Sequence, residues 1–174
     1  MYFYQNLKNM KPNKTLSRLF TVLIVSTVLF ACKKKDSVPD NEITDGTGLE
    51  ITLTWTLNDG TTATTWSDLD LYFIRGDINS EAQINISNIA DASANDDSFE
   101  KITLTNNLSD GDYSLVVDYF DLSKPGKYSV SFKGTTSGRI YSINDISFTV
   151  AENGDVKFPA KITKAGQKFT VTKR

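Results

Sequence analysis

The chain has 174 residues, with 19 Lys and Arg against 21 Asp and Glu, no histidine and one cysteine. One thiol excludes an internal disulfide. The lack of histidine excludes Ser-His-Asp and Cys-His catalysis, and with a single cysteine it leaves zinc and copper without their usual set of nitrogen and sulfur ligands.

Residues 1–31 carry Lys8, Lys11, Lys14 and Arg18 and no acid, and end in the uncharged thirteen-residue run Leu19–Ala31. That run suits a signal peptide and is short for a membrane span, which needs roughly 20 apolar residues. Met10 opens a tighter basic start and is the expected true initiator. Leu29, Phe30, Ala31 and Cys32 resemble the lipobox of bacterial lipoproteins, although Phe30 is bulkier than the usual occupant of its place. The resemblance implies cleavage before Cys32 and a diacylglycerol on its thiol. Stable anchoring needs more than one acyl chain, at about 0.8 kcal/mol per buried methylene. Lys33, Lys34 and Lys35 would sit at the headgroups, each worth about 1 kcal/mol at an anionic surface. Lys33 directly after the cysteine implies an outer-membrane lipoprotein, if the sorting rules of enteric bacteria apply, and the lysine-rich start also resembles lipoproteins of Bacteroidota.

From Cys32 onward there are 15 Lys and Arg against 21 Asp and Glu, a formal charge of −6, which argues against a nucleic-acid partner. Residues 32–48, the lipidated cysteine and then "KKKDSVPDNEITDGTG", read as a flexible tether. From 49 to 174 the apolar period is two. Leu49, Ile51, Leu53, Trp55 and Leu57 share one face of a first strand. In "DLDLYFIR", Leu69, Leu71 and Phe73 point inward, with Asp68, Asp70 and Tyr72 opposite. Further strands are expected at Gln83–Ser87, Glu100–Thr105, Asp112–Phe120 and Lys127–Lys133. A run from Arg139 to Ala151 should break near Asn144–Asp145 and then turn Ile146, Phe148 and Val150 inward. Asn153-Gly154 predicts a hairpin joining Ile146–Glu152 to Asp155–Phe158, and Gly166 predicts a turn before a last strand, Gln167–Thr172. The segment "SNIADASANDDSFE" is the longest irregular piece. The fold class is all-β: one antiparallel β-sandwich, jelly-roll or Ig-like Greek key, of about eight to nine strands.

Two segments, "LTWTLNDGTTATTWSDLDLYFIR" and "FEKITLTNNLSDGDYSLVVDYFD", together resemble the YfaP-like domains of unknown function in exported bacterial proteins, and more loosely the prepeptidase C-terminal domains. The matching positions are Trp55, Asp68 to Leu71, Glu100, Ile102, Gly111, Tyr113, Leu115, Val117 and Tyr119. Many members carry histidine where this chain has Tyr72, so no role passes to that position. The resemblance implies an exported accessory β-sandwich without a catalytic site.

Asp68 and Asp70 lie two apart on a strand, so their carboxylates share a side and repel unless a cation intervenes. With Glu100, Asp118 and Asp121 they form the ligand types that calcium takes. The alternative is that Asp68 and Asp70 bond backbone N–H groups at the strand entrance. Asp68/Asp70 or Asp118/Asp121 are also formal pairs for carboxylate-dependent, glycan-directed hydrolysis. Trp66, Tyr72 and Phe120 are aromatics outside the inward pattern and are candidate contacts for a ligand. The resulting expectation is a membrane-anchored, non-catalytic module that binds a protein or glycan or serves a structural role in the envelope. A carboxylate hydrolase is the alternative.

Overall fold

Alternating apolar residues dictate strands, and strands with one apolar face must pair their faces in two layers. The computed structural model describes residues 37–60, 67–95 and 99–174. It contains ten strands: β1 (Glu42–Thr44), β2 (Gly48–Leu57), β3 (Ser67–Arg75), β4 (Ile89–Ser93), β5 (Phe99–Thr105), β6 (Gly111–Leu122), β7 (Gly126–Gly134), β8 (Ile140–Phe148), β9 (Val156–Ala165) and β10 (Lys168–Lys173). They form a six-stranded sheet, β1-β10-β9-β6-β3-β4, and a four-stranded sheet, β5-β2-β7-β8. Every pairing is antiparallel. The all-β sandwich expected from the pattern is therefore the fold.

The core lies between the sheets. Leu49, Ile51, Leu53, Trp55 and Leu57 of β2 meet Leu69, Leu71 and Phe73 of β3 and Leu115, Val117 and Tyr119 of β6 in one buried cluster. The Trp55 indole N–H donates to the Ser67 carbonyl at 2.9 Å, so the largest core side chain is also hydrogen-bonded. Tyr119 packs edge-on against Tyr128 and tilted against Phe148, and Phe73 stacks on Tyr113 at 4.8 Å.

Several expectations fail, each for a local reason. The tether does not extend to Gly48. Residues Glu42–Thr44 pair with β10, and Ile43 is fully buried. Asp45 then accepts the backbone N–H groups of Thr47, Gly48, Thr136 and Ser137, which ties the start of the sandwich to the end of β7. Gly134 beside it has no room for a side chain: a Cβ would lie 2.1 Å from the Ser137 hydroxyl. Second, Gln83–Ser87 is not a strand. A 3-10 turn at Glu81–Gln83 is followed by residues whose side chains compete for the backbone: Asn85 accepts the Ser87 N–H and Asn88 accepts the Asn85 N–H. Ile86 is left 89 % exposed. Third, β4 occupies part of the segment expected to be irregular, pairing with β3.

Fourth, Asn153-Gly154 joins no hairpin, because β8 and β9 belong to different sheets. The Asn153 side chain instead accepts the Leu122 N–H and Gly154 donates to the Tyr119 carbonyl, so the pair anchors a crossover. The break at Asn144–Asp145 is a bulge within a continuous β8, with Asp145 at φ 59°, and Val150 turns outward. Cys32, Lys33–Asp36, Trp66 and the segment 1–31 lie outside the described residues.

Candidate functional site

A sheet buried on one face normally exposes the other, yet part of the outer face of the six-stranded sheet is covered. Residues 76–88, between β3 and β4, fold back over it and enclose a second small core of Ile74, Ile78 and Val116, with Tyr72, Ile84, Val156 and Phe158 packed against it. The fold-back is held by polar contacts. The buried Ser114 hydroxyl accepts the Ile78 N–H at 2.8 Å and lies 2.9 Å from the Gly76 carbonyl. The Arg174 guanidinium donates to the Ile78 carbonyl and reaches Asp77, which also pairs with Lys161 at 3.0 Å.

Beside this fold-back lies a half-open groove of about 340 Å³. Its floor is Tyr72 and Ile74 of β3, Ile89 of β4, Val116 of β6 and Val156 of β9, and its wall is Ile84 and Glu81. The volume falls in the range of small-ligand sites, roughly 300–1,000 Å³, and an apolar lining with a few polar groups is their usual make-up.

One end of the groove is acidic. Asp118 lines it, and Asp70 is its direct cross-strand partner. Asp70 is 6 % exposed, and its hydrogen-bond donor is the Tyr72 hydroxyl at 3.4 Å. Burial, then the charges of Asp68, Asp118 and Glu100, push the Asp70 carboxyl up to about 6. Burial, then Glu81, raises Asp118. Tyr72 is raised as well, by burial and then by Asp70, so its hydroxyl keeps the proton it donates. Among the described residues no lysine or arginine forms an ion pair with Asp70, Glu81, Asp118 or Asp121.

A bulge sets this arrangement. Asp68 opposes Asp121 and Asp70 opposes Asp118, so Leu69 alone faces both Tyr119 and Phe120. The extra residue in β6 resets the alternation: Asp118 and Phe120 point outward, while Leu122 turns back into the core. Bulges commonly re-aim side chains in this way beside functional sites. A second bulge places Phe158 and Pro159 of β9 opposite Val116, a position where proline's missing N–H breaks no ladder bond.

The structure brings together Asp70, Tyr72 and Asp118 of the expected residues. Phe120 lies on the same face and is 64 % exposed, outside the groove. The expected calcium set does not assemble. Glu100 is fully buried, where it accepts hydrogen bonds from the Ser93 hydroxyl and from the backbone and side-chain nitrogens of Asn95, fastening the segment after β4 to β5. Asp121 is exposed. Among the described residues no three acidic side chains are placed to hold a metal ion. The pairs that face each other run across strands, Asp70 with Asp118 and Asp68 with Asp121, and not along them as Asp68/Asp70 and Asp118/Asp121.

Sequence reading missed Glu81, Ile84 and Val116. Ile84 comes from the segment expected as a strand, and Glu81 opens the 3-10 turn just before it. Val116 sits outward on β6, where a lone apolar residue is ordinary. A larger cavity of about 450 Å³ lies by Tyr119, Tyr128 and Ile146, but Lys157 at its lining already pairs with Glu152 at 3.0 Å and Asp155 at 2.9 Å.

No protein-family model, curated protein or solved structure matches the chain. The resemblance of residues 53–121 to YfaP-like domains rests on the residues quoted for it alone.

Proposed function

We propose that this chain is an exported lipoprotein, anchored in the outer membrane through acylated Cys32, whose β-sandwich binds a protein or glycan partner without catalysing a reaction. The observation that carries the binding role is the outer-face groove, apolar along its floor and acidic at one end. A fold needs no such groove for its own stability, and the uncompensated carboxylates at its end work against folding. Destabilising groups of this kind concentrate at functional sites.

The carboxylate pair also favours a second reading, a hydrolase in which Asp70 and Asp118 act as acid and base. Such a pair needs its two titrations pushed apart, one carboxyl protonated and the other ionised. Here burial raises both, and no cation holds either one ionised. Binding therefore remains the preferred reading.

Two measurements test it. Mass spectrometry of the chain from cell envelopes should show a mature protein beginning at acylated Cys32, and an unprocessed leader would overturn the anchor. Calorimetric titration of the full chain in detergent micelles with oligosaccharides and peptides should find a ligand whose binding is lost in Ile84→Glu. Hydrolysis of the same ligands, abolished by Asp70→Asn in a folded protein, would replace binding with the enzymatic reading.

A further inference from the structure

We propose that the occupant of the outer-face groove is a protein segment that presents a lysine or arginine beside a branched apolar side chain, with the cation seated between Asp70 and Asp118 and the apolar group over Val116. This rests on the groove being the binding site and names the chemistry it selects.

Charge complementarity is the first argument. Lys161, Lys164, Lys168 and Arg174 each sit on an acid, at Asp77 and Asp112, Asp110, Glu42 and Asp77 respectively. Asp112 and Asp110 are held below the usual carboxylate range, chiefly by hydrogen bonds from Thr163 and Lys161 and from Gly166 and Lys164. Asp70, Glu81 and Asp118 have no such cation: Glu81 and Asp118 line the groove, and Asp70 is the cross-strand neighbour of Asp118. A cation arriving there converts mutual repulsion into attraction, and Lys161, Lys164, Lys168 and Arg174 are already committed elsewhere.

The depth of Asp70 is the second argument. A carboxylate this buried normally accepts two or three strong hydrogen bonds or pairs with a cation. Asp45 and Glu100 in the same sandwich do so, through backbone and side-chain donors. Asp70 has the 3.4 Å contact from Tyr72. Asp118 lies directly across from it on β6.

The lining is the third argument, and it decides between protein and glycan. Five of the eight lining residues, Ile74, Ile84, Ile89, Val116 and Val156, are aliphatic; the one aromatic, Tyr72, already gives its hydroxyl to Asp70, and the remaining polar groups are the carboxylates of Glu81 and Asp118. A branched side chain fills such a floor, and a neutral sugar would leave its hydroxyls unpaired there. An aliphatic residue two positions from a lysine puts both side chains on one face of an extended peptide and supplies both halves of the match.

The probe is acetyl-Ile-Ala-Lys-amide, titrated at millimolar concentration into the ¹⁵N-labelled full chain in detergent micelles, beside acetyl-Ile-Ala-Gln-amide and neutral oligosaccharides. The lysine peptide should shift the amides of Tyr72, Val116 and Asp118, with its dissociation constant at least tenfold below that of the glutamine peptide. Asp118→Asn should erase that preference, while Asp145→Asn, an acid remote from the groove, should leave it unchanged. Equal affinity for the two peptides would overturn the charge assignment. Oligosaccharides that shift the groove amides while both peptides are silent would leave the groove as the site and overturn this inference. Silence of the groove amides with every probe would overturn both.

Discussion

Asp70 and Asp45 are both buried acids of one sandwich, and their surroundings push their titrations in opposite directions. For Asp70, burial and neighbouring acids raise the carboxyl to about 6, against 3.8 for an ordinary aspartate. The folded protein therefore binds this proton more tightly than the unfolded chain does. Stability from this group is greatest below about pH 4, falls as pH rises to about 6, and is flat above that. With relaxation of the site allowed for, the loss is about 2 kcal/mol. Thermal melts should show Asp70→Asn more stable than the parent at pH 7.5 and level with it at pH 4; an equal loss at both values would contradict this. For Asp45, burial pushes the carboxyl up, but hydrogen bonds from Ser137, Thr47 and Gly48 outweigh it and hold it far below the usual range. Its contribution is present above about pH 4 and lost as pH falls. Asp45→Ala leaves four backbone donors without their acceptor and should cost about 3 kcal/mol at pH 7 in denaturant unfolding.

At the scale of elements, β1 is the sharpest test, because a tether and an edge strand predict different behaviour. Ile43 is fully buried in the core, and the Asp45 N–H donates to the Gln167 carbonyl at 2.9 Å. Hydrogen exchange should find the Asp45 amide protected, and Ile43→Ala should cost about 2–4 kcal/mol. Fast exchange there with a neutral substitution would return residues 42–45 to the tether. Three residues holding one aliphatic side chain give no periodicity, which is why β1 was illegible in the sequence. The long alternating runs of β2, β3, β6 and β7 were legible, because five or so apolar residues at period two fit no other element. Ile84 and Ile86 carried the same period over too short a span, and Asn85 and Asn88 diverted the backbone. Bulges left no signal, so Asp70, Tyr72 and Asp118 were readable as candidates while their cross-strand pairing was not. The rest of the groove depends on residues 76–88 folding back, a contact that Ser114 makes at a distance in sequence. Ser114→Ala removes the acceptor of the Ile78 N–H; it should destabilise by about 1–3 kcal/mol and speed amide exchange at Ile78.

Across the whole molecule, charge is sorted. Six of the last twenty residues are basic. In the fold, four of these six pair with Glu42, Asp77, Asp110 and Asp112 on neighbouring elements, and Lys157 pairs with Glu152 and Asp155. Most of the basic charge at that end is thus neutralised within the fold, while Glu81 and Asp118 in the groove and Asp70 beside it have no cation among the described residues. Electrostatic attraction of a cationic partner should then weaken with salt, since exposed charges are screened beyond about 8–10 Å at physiological ionic strength.

The most direct test of the account is an amide map of the full chain recorded with and without a panel of peptides and oligosaccharides. The account predicts shifts concentrated at Tyr72, Ile84, Val116 and Asp118. Shifts centred instead on the cavity beside Tyr119 and Tyr128, with those four amides unmoved, would contradict it.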